Sequence, residues 1–201
     1  MLTYKKKWHF IFLTILTIGI LQACSFSKFE AETEIEVKDF TYINQSNEKI
    51  SLDSLKGTPW LAMFTFTQCA TVCPAMTFNM TEVQESLIEN KVKDYKIVSF
   101  SVDPEFDTPQ VLTDYINHYP VPDLEKWELL TGYQQEEMEA FAAESFQALV
   151  KDDPSSNQVI HGTAFFLVDQ NGNTVKSYDG NVDVPVDNIT NDLKALIKNG
   201  H

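Results

Sequence analysis

The sequence predicts an α/β domain with a central mixed sheet flanked by helices, and three observations carry that expectation. Dense apolar runs at Trp60–Phe66, Ile97–Val102 and Thr163–Val168 have strand length and no polar face, as strands covered on both sides do. Between the first two, apolar residues recur at Met76, Met80, Val83, Leu87 and Ile88, the spacing of one helix face. Asp169-Gln170-Asn171-Gly172-Asn173 then turns the third run back into Thr174–Tyr178 as a hairpin.

Taken in order, residues 1–24 read as a targeting segment. Lys5, Lys6 and Lys7 precede an apolar run from Phe10 to Leu21, which is shorter than the roughly 20 residues of a membrane-spanning helix. The run ends in Leu21-Gln22-Ala23-Cys24, which resembles a bacterial lipobox. That predicts a signal peptide over 1–23, a lipid-modified Cys24 on the outer face of the plasma membrane, and a polar tether over 24–34. An uncleaved anchor is the alternative.

The domain is then expected over 35–201. Ile35–Ile43 alternates as an edge strand or hairpin, and Leu52–Gly57 is a helical turn closed by glycine. Trp60–Phe66 is the first buried strand, and Pro74 starts the helix that follows, because its missing N–H has no partner in a first turn. Ile97–Val102 ends at Asp103-Pro104, and Thr108-Pro109 opens a helix carrying Val111, Leu112, Tyr115 and Ile116. Trp127–Leu130 is a short strand, Gln134–Val150 a helix, and Lys151–Gln158 a polar loop. The third buried strand, the hairpin and a last helix from about Pro185 complete the chain. This order is that of a thioredoxin-like fold with an N-terminal strand or hairpin extension and a helical insertion.

Charge narrows the function. All 15 basic residues are lysines, against 29 acidic residues. A product starting at Cys24 keeps 12 lysines and all 29 acids, a formal charge of −17. Such a balance excludes nucleic-acid binding, which needs a basic face. It fits a solvated surface, or one that attracts cations or a basic partner.

Of three cysteines, Cys24 is committed to the lipid, leaving Cys69 and Cys73 at the turn from strand to helix. Two thiols at i and i+4 entering a helix are expected on one face, close enough for a disulfide or one soft metal ion. A helix N-terminus favours thiolate, the species that both attacks disulfides and binds metal. An inert structural disulfide is the bland alternative. Thioredoxin-type enzymes space their cysteines by two residues rather than three, and a peroxiredoxin would need an arginine. A closed zinc site would take four ligands.

A third ligand points to histidine. His9 lies in the targeting segment, His201 is terminal, and His118 ends a surface helix. His161 stands in Val159-Ile160-His161-Gly162-Thr163, where a thioredoxin-like fold brings the loop before its third strand against the cysteines. Two thiolates and an imidazole suit copper, with zinc chemically open.

Cys69-x-x-x-Cys73-Pro74, Ser101-Val102-Asp103-Pro104-Glu105-x-Asp107-x-Pro109, Leu130-Thr131-Gly132 and His161 before Phe165–Asp169 together resemble the Sco/SenC family of copper-binding proteins, which serve cytochrome c oxidase assembly. The chain is especially similar to the lipid-anchored Sco of Gram-positive bacilli. Thr71 departs from the aspartate that many members carry between the cysteines. The resemblance implies one copper ion held by Cys69, Cys73 and His161, and delivery to the Cu(A) site of oxidase subunit II. A thiol reductant is implied as a second partner, since an oxidised pair cannot chelate. It leaves open a thiol–disulfide oxidoreductase in which Cys69 and Cys73 are the redox-active pair. Asp103 is expected either as a nearby carboxylate tuning the site or as a plain strand cap.

Overall fold

The structure is a computed structural model and describes residues 29–153, 156 and 158–199. The targeting segment, Cys24, His9 and His201 lie outside the described residues. In chain order the elements are β1 (Ile35–Glu36), β2 (Thr41–Ile43), β3 (Lys49–Ser51), α1 (Leu52–Leu55), β4 (Trp60–Thr65), α2 (Cys73–Glu89), β5 (Lys96–Ser101) and α3 (Pro109–Ile116). There follow β6 (Trp127–Leu130), α4 (Gln135–Phe146), β7 (Val150–Asp152), β8 (Val159–His161), β9 (Ala164–Val168), β10 (Asn173–Asp179) and α5 (Val186–Asn199). Among the described residues no helix is long and apolar enough to cross a membrane.

Six strands form one mixed sheet in the order β1-β10-β9-β4-β5-β6. β4, β5 and β6 run parallel, while β9 and β10 run antiparallel beside β4. Every residue of β4 is buried, because the sheet carries a core on each face. Leu61 and Met63 point into one core with Met76, Met80 and Leu87 of α2 and Ile189 and Leu193 of α5. Trp60, Ala62 and Phe64 point into the other with Phe141 and Phe146 of α4. The period-two alternation of a strand therefore explains why the run from Trp60 to Phe64 needs no polar residue.

Local chemistry ends the elements where the sequence says. Ser51 caps α1 in a reciprocal capping box with Ser54, and the Thr108 hydroxyl caps α3 ahead of Pro109. In the β9–β10 turn the Asp169 carboxylate accepts from the Asn171 and Asn173 N–H groups, and Gly172 takes φ +89°. Gly132 in the Leu-Thr-Gly motif has φ +88°, and an added Cβ there would meet Ile43 Cγ1 at 2.7 Å.

Two expectations differ from the structure. The helix read over Gln134–Val150 stops at Phe146, where Gln147 turns left-handed at φ 52°. Val150, read as helix, instead opens β7, and the stretch read as a polar loop holds a small antiparallel hairpin, β7 with β8. The β-branched Val150, Val159 and Ile160 favour strand, but three-residue strands are too short to show an alternation. Residues 29–33, which fall within the stretch read as a tether, pack on the domain. Phe29 is buried in the α2–α5 core, and the N–H groups of Glu32 and Thr33 both donate to the Val175 carbonyl.

Candidate metal centre

Three elements converge at the carboxyl end of the parallel strands, the usual place for a site in such a sheet. β4 runs out into Phe66–Val72, β5 into Asp103–Thr108, and β8 brings His161 toward both on its way into β9. The first of these loops is pinned from below. Asp107, fully buried, accepts hydrogen bonds from the Thr67 N–H, the Thr67 hydroxyl and the Ser101 hydroxyl. Thr67 is two residues from Cys69, so this carboxylate sets where the first thiol stands. The Cys69 N–H then donates to the Phe66 carbonyl at 3.3 Å, closing the turn.

The two cysteines do not share a helical face, contrary to expectation. Cys69 lies in the turn and Cys73 is the first residue of α2, because Val72 is the N-cap and the chain cannot be helical before it. Their adjacency comes from the turn folding back. The Cys73 N–H, one of the free donors of a helix start, points at Cys69 Sγ at 3.4 Å. Thr71 Oγ1 lies 3.6 Å from the same sulfur. Both thiols are free.

His161 Nε2 lies 3.1 Å from Cys73 Sγ, and His161 Nδ1 lies 2.9 Å from the Gly162 carbonyl. A carbonyl only accepts, so Nδ1 carries the proton and Nε2 keeps its lone pair. The ring meets Phe66 edge-on, with centroids 5.8 Å apart. The two sulfurs and a ring nitrogen all lie within 4.8 Å of one another.

The same contacts split the thiols chemically. Burial alone would push the Cys69 thiol up, but hydrogen bonds from Cys73 and Thr71 outweigh it and hold the thiol below its ordinary value. Burial pushes the Cys73 thiol far up, and its hydrogen bond to Cys69 adds to the effect. The helix start thus favours thiolate at Cys69, which receives its N–H, and not at Cys73, which sits inside it. Burial also lowers His161, only partly offset by the Gly162 carbonyl, so the imidazole stands neutral.

Asp103 stays outside this group. Its main chain caps the turn after β5, its N–H donating to the Ser101 hydroxyl and its carbonyl accepting from Phe106 and Asp107. It lines a neighbouring cleft with Gln68, Glu105 and Asp152. Burial, with Asp152 and Glu105 nearby, raises its carboxyl. Of the two roles open to Asp103 in the sequence, the structure shows the cap at the end of its strand. Asp107, four residues on, is the acid that touches the cysteine loop, and its burial among polar donors with no lysine partner is not visible in sequence. His118 is exposed at the end of α3 and bonds the Asp114 carbonyl through Nδ1, away from the thiols.

The SCO1/SenC family model matches residues 29–198. The chain belongs to the SCO1/SenC family. It is 43% identical over 184 residues to the SCO1 protein homolog of Bacillus subtilis (strain 168), covering 90% of this chain and 94% of that one. A solved structure of BsSco, a member of the Sco family of cytochrome c oxidase assembly proteins studied for a disulfide switch, superposes with a TM-score of 0.77 at 43% identity. That match covers 84% of this chain and 97% of the other. Copper-bound ScoI of Bradyrhizobium japonicum superposes with a TM-score of 0.66 at 26% identity, over 79% of this chain and 98% of that one.

The Sco fold here is thioredoxin-like, and its donor set fits copper. Two soft sulfurs and one imidazole nitrogen with its lone pair free are gathered at one point, and among the described residues no other His, Cys, Asp or Glu group is.

Proposed function

We propose that this Sco protein, lipid-anchored at Cys24 on the outer face of the plasma membrane, takes up one copper ion through Cys69, Cys73 and His161. It then hands the ion to the Cu(A) site of cytochrome c oxidase subunit II. The observation that carries the reading is the Nε2 lone pair, freed by the Gly162 carbonyl and aimed at Cys73. Uptake displaces the protons of both thiols to water, and the Nε2 lone pair stays free as the third donor. Release proceeds by stepwise exchange of the three ligands for those of the acceptor.

One observation favours a second reading, thiol–disulfide exchange, in which the acceptor's cysteines are reduced. The thiols are free and unequal, as a nucleophile and its resolving partner are. The Cys69 thiolate would attack the partner's disulfide to give a mixed disulfide. Cys73, its proton passed to His161 Nε2, would displace the partner's second thiolate. The partner leaves as a dithiol, two electrons richer, and Cys69–Cys73 becomes the disulfide that a separate thiol reductant reopens.

His161→Ala separates the readings. Copper titration of the reduced protein, followed by absorption and electron paramagnetic resonance, should lose the sulfur-to-copper charge-transfer band in this variant, while Cys69 and Cys73 still oxidise to a disulfide. An unchanged band in His161→Ala would remove the histidine from the site.

A further inference from the structure

The hairpin that carries His161 has one covered edge and one bare edge. Within it the Gly162 N–H donates to the Leu149 carbonyl and the Asp153 N–H to the Gln158 carbonyl, with Lys151 opposite Ile160. In an antiparallel ladder bonded pairs alternate with unbonded ones, so the bonded positions are 149 with 162, 151 with 160 and 153 with 158. The N–H and C=O groups of Val150 and Asp152 therefore point out of one edge, and those of Val159 and His161 out of the other. On the β7 side α4 covers the edge, and its Glu139 carboxylate accepts from the Asp152 N–H at 3.3 Å. On the β8 side, among the described residues, the main-chain N–H and C=O groups of Val159 and His161 have no partner. An open strand edge invites another strand, and the Val159-Ile160-His161 run has no lysine, proline or bulge to blunt it.

The two faces of the hairpin differ. Val150, Asp152, Val159 and His161 share the face toward the core, while Leu149 and Ile160 stand on the other, 61% and 52% exposed. Beside the turn end of the hairpin lies a cleft of about 570 Å³, lined by Asp152, Asp153 and Val159 from the hairpin and by Gln68, Asp103 and Glu105 opposite. The cleft holds four carboxylates, those of Asp103, Glu105, Asp152 and Asp153, and no lysine.

We infer that the copper acceptor docks by laying an extended segment along this edge as a third strand beside β8, with basic side chains inward over the acidic cleft and apolar ones outward beside Leu149 and Ile160. This rests on the copper-transfer reading and specifies how the acceptor is recognised. Main-chain bonds to Val159 and His161 supply the anchoring, and alternate side chains supply the selection. A strand paired there runs about 4.8 Å from β8, so the acceptor's own side chains arrive within reach of the ligand it must displace.

The probe is a capped nine-residue peptide alternating lysine and valine, added to the reduced, isotope-labelled full chain in detergent and followed by amide resonances. The Val159 and His161 signals should move and their exchange with water slow, while Ile160, already bonded to Lys151, responds less. Val159→Pro removes an outward N–H and no rung of the β7–β8 ladder, so it should bind the peptide about ten-fold more weakly. It should still take up copper one to one. Should that variant lose the hairpin, a peptide N-methylated at alternate residues tests the same point on the unchanged protein, which should reject it. The inference falls if a peptide with its lysines and valines in separate blocks binds equally well, since charge alone would then suffice. It falls equally if the N-methylated peptide binds undiminished. Failure of the unchanged protein to bind copper would instead remove the transfer reading, with the amide shifts still judging the edge.

Discussion

His161 and Cys69 show how a few polar contacts assign roles to chemically similar groups. The Gly162 carbonyl fixes the His161 tautomer, and the Cys73 N–H with the Thr71 hydroxyl makes Cys69 the more acidic thiol. A limiting amount of iodoacetamide at neutral pH should therefore modify Cys69 first, with a rate profile centred below the ordinary thiol value and Cys73 almost unreacted. Equal labelling by peptide mass mapping would contradict the split. His161 carries a linkage as well. Its folded value lies below the ordinary 6.5, so its contribution to stability is present above that value. As the pH falls, the unfolded chain takes up the proton first, and the metal-free protein should lose stability below about 6.5; His161→Ala should flatten that limb of the curve. That Cys69, Cys73 and His161 come together was legible in the sequence, because cysteine and histidine advertise their chemistry. Which thiol is the acidic one was not, since that depends on which sulfur the first helical N–H faces.

The element that matters most for the site beyond its ligands is the Asp103–Thr108 turn. Asp107 satisfies three donors at once with no compensating cation, so Asp107→Ala should strand the Thr67 N–H and two hydroxyls and cost about 2–4 kcal/mol in thermal or denaturant unfolding. It should also weaken copper binding in titration, because Thr67 leads into Cys69. An unaltered copper affinity in a variant shown to be folded would mean the loop holds its shape without the carboxylate. The buried strands and α2 were readable, since burial on both faces leaves continuous apolar runs. The β7–β8 hairpin was not: two strands of three residues carry too little periodicity, and Gln147 ends α4 in a conformation that glycine would have announced.

For the whole molecule, the order of strands and helices led to the right architecture, because parallel strands need crossover helices and a late hairpin needs an antiparallel edge. Where the chain first joins the domain could not be read, since Phe29 lies in a stretch with no pattern. With 29 acidic residues against 15 lysines, a formal charge of −14, association with a basic acceptor should be steered over long range. Its on-rate, measured by stopped flow, should fall steeply as salt rises from about 0.01 to 0.15 M, where the screening length shrinks from roughly 30 to 8 Å. An on-rate indifferent to salt would show that the acidic surface serves solubility alone.

Burial of Phe29 also bears on the anchor proposed at Cys24. From Cys24 to Phe29 is five residues, at most about 18 Å of fully stretched chain, while a domain of this size has a radius of gyration of about 15 Å. With a lipid at Cys24 the protein would be moored too closely to cast its cargo outward to a distant client. It would roll along the bilayer like a buoy on a chain no longer than its own girth, and the acceptor would have to pass within that narrow layer to be served.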